Sequence, residues 1–264
     1  YQIFNPSIDS LLNDEERKIY EEFTIAREEG NMTLFYQPMM SLKGSPNKQY
    51  MCYFRYQLRD GGWGLGEDIF HIFEKVGIDA EIDKITLKHA LKVLAKDKAE
   101  NNNNKLFVAL SPNTLLREDL EEWLEKLITA AGINSDNLIL TLKGHTAQTY
   151  LKKVIELKAN LKRIGVPFCL SGIATDNSEI VRSIRPQLVS FAPNFIETLK
   201  EHGSEKVQPI VNAASEIEAK TIITNLEDAS TLAQIWPLGI DFVMGNYVSK
   251  PITKLNYDFA DSDF

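Results

Sequence analysis

The chain has 264 residues, 44% of them hydrophobic and 25% charged, which supplies a sizeable core and excludes disordered, collagen-like and disulfide-built classes. Its 37 acidic against 29 basic residues give a formal charge of -8, which repels nucleic acid polymers and anionic lipid, and no local basic patch offsets it. The length suits two small domains or one α/β barrel.

A first helix is expected from Asp14 to Gly30, where Ile19, Phe23 and Ala26 repeat at helical spacing and a glycine stops the run. Two strand-like runs follow, Thr33 to Leu42 and Gln49 to Leu58, joined by the turn-rich Lys43-Gly44-Ser45-Pro46-Asn47-Lys48. They read as a hairpin and so as an antiparallel start. Past the glycine-rich loop Asp60 to Gly66 come helical segments from Glu67 to Val76 and from Ala80 to Lys96, then the run Asn101 to Asn104, which marks a solvated loop. The apolar face of the first of these, Ile69, Phe70, Phe73 and Val76, reads as core packing.

From there short apolar strands alternate with amphipathic helices, the pattern of parallel βα units covered on both faces. The strand candidates are Lys105 to Ser111, Asn137 to Lys143, Pro167 to Ile173, Gln187 to Pro193, Lys220 to Thr224 and Ile240 to Gly245, with a helix from Thr146 to Ile164 among the connections. With the hairpin this makes about eight strands, the number that closes a barrel. An open doubly wound sheet fits less well, because no glycine fingerprint follows a first strand.

Cys52 and Cys169 both lie in apolar runs and read as reduced, buried thiols. No run is long and apolar enough for a membrane span, and no signal peptide opens the chain, so the expected compartment is the cytoplasm. A start at Tyr1 without Met reads as a fragment of a larger protein.

In a βα barrel, chemistry belongs at the C-terminal strand ends. Those ends carry Ala109, Ser111, Thr141, Ser171, Gly172, Ser190, Ala192, Thr224, Asn225 and Met244, and none of these is a carboxylate that Mg²⁺ or Ca²⁺ needs. Glu227 and Asp228 follow the Lys220 to Thr224 strand, where a helix cap competes with a metal role. His71, His89, His145 and His202 are scattered and show no zinc spacing. Ser111, Ser171 and Ser190 have no nucleophile elbow.

Taken together, the span from about Met32 to Pro251 resembles the EAL domain, the cyclic di-GMP phosphodiesterase barrel. FYQPMMSL is similar to the family's YQPI strand, RYQLRDGGWG to the arginine and glycine stretch after the EAL signature, and DIFHIFEKVGIDAEID to its FIxxAExxGxxxxID helix. LFVALSPNTL resembles the VNLS strand, LKRIGVPFCLSGI the GxxxxLDDFG strand, and TIITNLEDASTLAQIWPLGIDFVMGNYVSKP the AEGVE helix and QGYY end. The last stretch is most similar to the FimX-type, non-catalytic subgroup associated with type IV pili and twitching motility.

The resemblance implies an α/β fold, a modified TIM (β/α)8 barrel with an antiparallel first strand. The chain divides into an N-terminal helical arm or linker over 1–31, an EAL-like barrel over 32–256 and an acidic tail over 257–264, which reads as solvated ahead of a second reading in which its phenylalanines dock on the barrel. Aligned on these motifs, the family's metal and catalytic positions fall on Met51, Ala109, Thr141, Ser171, Gly172, Ser190, Ala192 and Thr224, and only the second glutamate of AEGVE survives, as Glu227. The expectation is a chain with no catalytic residues, no Mg²⁺ or Mn²⁺ and no phosphodiesterase activity.

Candidate contacts to cyclic di-GMP are Gln37, Tyr53, Phe54, Arg55 and Glu227, with Arg55 the phosphate contact. Against them stands a reading in which a buried Arg55 pairs instead with a barrel carboxylate. Two functions therefore stand side by side: a non-catalytic cyclic di-GMP receptor, and an interaction scaffold that has also lost the nucleotide. An active phosphodiesterase ranks below both. The resemblance further implies a PilZ-type or other signalling partner, or a homodimer.

Overall fold

Asn13 opens the first helix with a reciprocal cap. Its side chain accepts the Glu16 amide at 2.9 Å, and the Glu16 carboxylate accepts the Asn13 amide at 3.1 Å. In the computed structural model, which describes residues 10–45 and 47–259, the chain then runs α1 (Asp14–Glu28), β1 (Met32–Ser41), β2 (Gln49–Gln57), β3 (Trp63–Leu65), α2 (Gly66–Val76), α3 (Asp79–Ala99), β4 (Lys105–Ala109), α4 (Pro112–Leu115) and α5 (Leu120–Ala131). It continues through β5 (Leu138–Lys143), α6 (Gly144–Thr149), α7 (Leu151–Arg163), β6 (Phe168–Ile173), α8 (Ser178–Ile184), β7 (Leu188–Phe191), α9 (Phe195–His202), α10 (Ser204–Glu216), β8 (Lys220–Ile223), α11 (Ala229–Ile235) and β9 (Phe242–Val243).

The strands pair in the order β1-β9-β8-β7-β6-β5-β4-β2, and β1 pairs with β2 to close the ring. β1 is antiparallel to both of its neighbours, and the remaining pairs around the ring are parallel. The expected barrel with an antiparallel first strand is what forms. β2 is long enough to serve two partners on one side: Gln49, Tyr50 and Met51 pair with β4, and Arg55, Tyr56 and Gln57 pair with β3. The Asp60 to Gly66 stretch, expected as loop, therefore contains a short strand that raises the barrel wall above the end of β4.

Alternation along the strands splits the core in two. One face of each strand packs under the helices. The other fills the barrel with Met39, Phe107, Ile139, Cys169, Leu188, Ile222, Phe242 and Met244, with Met51 and Tyr53 packed against them. Cys169 is thus inside the ring, while Cys52 faces the helices, and both are free and buried. Burial pushes both thiols up, Cys169 to about 12.

The segment read as an arm packs on the barrel. Phe23 is fully buried, with its ring 4.5 Å from Phe73, 5.7 Å from Tyr56 and 6.3 Å from Phe54. Glu16 adds an ion pair to Lys75 of α2. Burying one such ring contributes about 2 kcal/mol, which explains why α1 docks.

The expected helix from Thr146 to Ile164 is two helices. At Tyr150 the backbone turns to φ -118° and ψ 38°, just after the β-branched Thr149, whose hydroxyl bonds back to the His145 carbonyl. At the other terminus Phe259, expected in a solvated tail, packs edge-on against buried Tyr50 at 5.4 Å between centroids. Its apolar ring outweighs the acidic neighbours. Residues 260–264 of that tail lie outside the described residues.

Candidate functional site

Seven of the eight ring strands point the same way, so their C-terminal ends and the N-terminal half of β1 share one mouth. Alternation dictates what faces it. Counting outward from the barrel-filling residues in steps of two brings Phe35 and Gln37 of β1, Tyr53 and Arg55 of β2, Ala109, Thr141 and Lys143, Ser171, Ser190 and Thr224 to the inner side. Met244 caps β9 from within the barrel cluster. Beside it Gly245 has no room for a side chain, because a Cβ there would meet the Leu226 carbonyl oxygen at 2.2 Å.

Arg55 is the charged centre of this mouth. It is 6% exposed, and its Nη1 donates to the Phe54 carbonyl at 2.9 Å and to Glu67 Oε2 at 3.0 Å. The pairing with a carboxylate, one of the two readings of the sequence, is therefore present. It occupies a single nitrogen. Nε and Nη2, the edge that grips a phosphate or carboxylate in bidentate fashion, carry no hydrogen bond among the described residues, and neither is a fully buried orphan. The guanidinium carbon lies 5.3 Å from the Tyr53 ring centre and 6.0 Å from that of Phe35.

Aromatic surface continues from there. Phe35 meets Trp63 of β3 at 5.3 Å, tilted by 62°, and Trp63 and Leu65 are exposed by 39% and 42%. Burial together with the Glu67 charge pushes the Tyr53 hydroxyl up, so it stays protonated and able to donate. The result is a wall of Phe35, Tyr53, Trp63 and Leu65 around one half-free guanidinium.

The other sequence candidates are placed as follows. Gln37 is buried, and its Nε2 donates to the Ser249 carbonyl at 3.0 Å, so it ties β1 to the segment after β9. Phe54 points away from the mouth, into the helix layer with Phe23, Phe70 and Phe73. Glu227 is exposed on the loop after β8, three strands from β2 around the ring through β1 and β9. Its neighbour Asp228 is the cap of α11: hydrogen bonds from Ser230 and from the Thr231 amide and hydroxyl hold its carboxyl down to about 2. Phe35, Trp63, Leu65, Glu67 and Lys143 were not singled out from sequence. For Phe35 and Lys143 the signal was the two-residue period of β1 and β5, extended one step past the motif residues.

The EAL domain profile matches residues 20–251. The chain belongs to the EAL domain family. A solved FimX EAL domain superposes with a TM-score of 0.83 at 24% identity, covering 94% of this chain and 100% of that one. The FimX EAL domain from Pseudomonas aeruginosa bound to c-di-GMP gives 0.83 at 23% identity, covering 92% and 99%. Among curated proteins, the cyclic di-GMP phosphodiesterase PdeB of Shewanella oneidensis is 21% identical over 88% of this chain and 28% of its own length. The chain spans roughly a third of the length of the curated relatives it matches.

The donor set of this EAL domain does not fit the divalent ion that the sequence motifs of the family imply. At the positions where those motifs place metal ligands and the catalytic lysine, the mouth presents the methyl of Ala109, the hydroxyls of Thr141, Ser171, Ser190 and Thr224, and bare Gly172, which cannot neutralise a hard cation. Thr141 and Ser190 are also only 2% exposed. Among the described residues no group of three or more His, Cys, Asp or Glu is placed to hold a metal. None of the helices among those residues is long and apolar enough to cross a membrane.

Proposed function

We propose that this EAL domain is a receptor for cyclic di-GMP that holds the dinucleotide without cutting it. The observation that carries the reading is Arg55: one nitrogen is anchored by Glu67, Nε and Nη2 carry no hydrogen bond among the described residues, and the guanidinium lies beside the rings of Phe35 and Tyr53, with Trp63 against Phe35. A guanidinium so held meets a phosphodiester with two parallel hydrogen bonds, and exposed aromatic faces stack on bases whatever their edges. A FimX EAL domain with the same barrel is described as bound to c-di-GMP, which supports the ligand class. The neutral strand ends supply neither ion nor base for hydrolysis.

Titration calorimetry with cyclic di-GMP in chelator tests it: binding that Arg55→Ala weakens at least about thirtyfold is expected, with no turnover when Mg²⁺ or Mn²⁺ is added. No heat at large ligand excess overturns the receptor. That outcome favours the scaffold, a reading that the Arg55–Glu67 pair and the commitment of the Gln37 amide nitrogen to Ser249 support. In either reading the output runs through a protein, a PilZ-type partner or a second copy of the chain, in type IV pilus and twitching control. Exposed Trp236, Ile155 and Leu116 are apolar surface available to it.

A further inference from the structure

Lys143 ends β5. Its neighbours fix which way it points: Leu138, Leu140 and Leu142 lie in the helix layer, and Ile139 lies inside the barrel. The two-residue period therefore puts Thr141 and Lys143 on the barrel side, Thr141 buried and Lys143 exposed at the rim. The position is rigid. Lys143 pairs with Ser171 of β6, and the next residue, Gly144, is seated so closely on β6 that a Cβ there would meet Ile173 Cδ1 at 2.4 Å.

The lysine has no carboxylate partner among the described residues, although fifteen other lysine or arginine side chains among them do form ion pairs to carboxylates. β5 stands two places from β2 around the ring, roughly 10 Å at the backbone. A lysine stem and an arginine side chain reach across that distance to one small dianion.

From this placement we infer that Lys143 is the second cationic contact of the mouth, and that with Arg55 it forms a metal-free clamp for the two phosphodiesters of a cyclic dinucleotide. The inference rests on the receptor reading and deepens it. Arg55 takes one phosphate through its planar edge. Lys143, a mobile point charge, takes the other, and it supplies at the rim the positive charge that the neutral strand ends cannot recruit as an ion. Binding in this arrangement needs no divalent cation and weakens with salt, because the lysine is exposed and screened.

Calorimetry with cyclic di-GMP on the wild type, Lys143→Arg, Lys143→Ala and Lys143→Glu, each in chelator at low and at physiological salt, decides the matter. Lys143→Ala is expected to lower affinity about tenfold and Lys143→Glu about a hundredfold. Lys143→Arg should stay within about threefold, and the alanine variant should lose part of the salt dependence. Circular dichroism should show all four equally folded, since the side chain is solvent-exposed. Wild-type binding that survives Lys143→Glu unchanged overturns the clamp alone and leaves the receptor standing. Binding that chelator abolishes also overturns the clamp. Absence of wild-type binding overturns both.

Discussion

The two ends of the barrel spend their charges differently. At the bottom, Asp241 before β9 accepts Lys43 from the β1–β2 turn at 3.0 Å, Lys220 at the start of β8 at 3.1 Å, and the Thr221 amide and hydroxyl at 3.0 and 3.1 Å. Burial works against its ionisation, yet these partners hold the carboxyl below its usual range. At the top, Arg55 is half satisfied and Lys143 is free of carboxylates. A closed network at one end fastens three strands together, and the open valences at the other are what a ligand can use. In a βα barrel this division is the one between stability and binding.

Asp241→Ala should break the comparison most severely. It strands the Thr221 amide and leaves two lysines facing each other, so unfolding free energy in urea should fall by about 4 kcal/mol. Ligand affinity of the folded fraction should hold, and a matching loss of affinity would mean that the two ends are not independent.

Next in size is a pH effect at the top. Buried Asp83 accepts the Ser111 amide at 2.6 Å, and Asp79 binds Asn113, so α3 clamps the loop that follows β4. Burial pushes the Asp83 carboxyl up to about 6, against hydrogen bonds from Thr114 and Ser111 that lower it. A carboxyl raised in the fold contributes stability that is complete below its unfolded value near 3.8 and is lost as pH rises toward 6. Wild type should therefore lose up to about 3 kcal/mol relative to Asp83→Asn between those limits. Urea midpoints of the two proteins across that range measure it, and parallel curves would contradict it.

Arg55→Ala should reduce cyclic di-GMP affinity at least about thirtyfold, read by calorimetry, while bottom-end variants leave it alone. Smallest is Glu67→Gln, which keeps an acceptor for Nη1 and removes a negative charge from the rim. Affinity should rise about threefold, and a fall would show that the carboxylate positions Arg55 more than it repels the ligand.

The barrel was legible because its evidence is redundant: apolar runs, turns and motif order each recover the strands, and a misplaced boundary changes nothing. The mouth is less forgiving. Phe54 and Arg55 are adjacent, so the pleat puts them on opposite faces, and the aromatic selected beside Arg55 belongs to the helix layer. The companions that do line the mouth, Phe35 and Lys143, sit two residues from Gln37 and Thr141 and needed only the same rule. Trp63 was hidden for another reason. Glycines around it mimic a loop, and only the unpaired upper edge of β2 gives those three residues a strand to join. The docking of α1 was half visible in its Phe23 stripe, but a stripe does not say what covers it.

That docking has a mechanical consequence. Phe23 of α1 rests on the back of Phe54, and Arg55, one peptide further along β2, reaches the mouth from the front. A single strand thus carries the helix on one side and the cation on the other. If filling the mouth shifts β2 at all, the grip on α1 changes with it, and by reciprocity a pull on the helix changes the affinity of the mouth by the same factor.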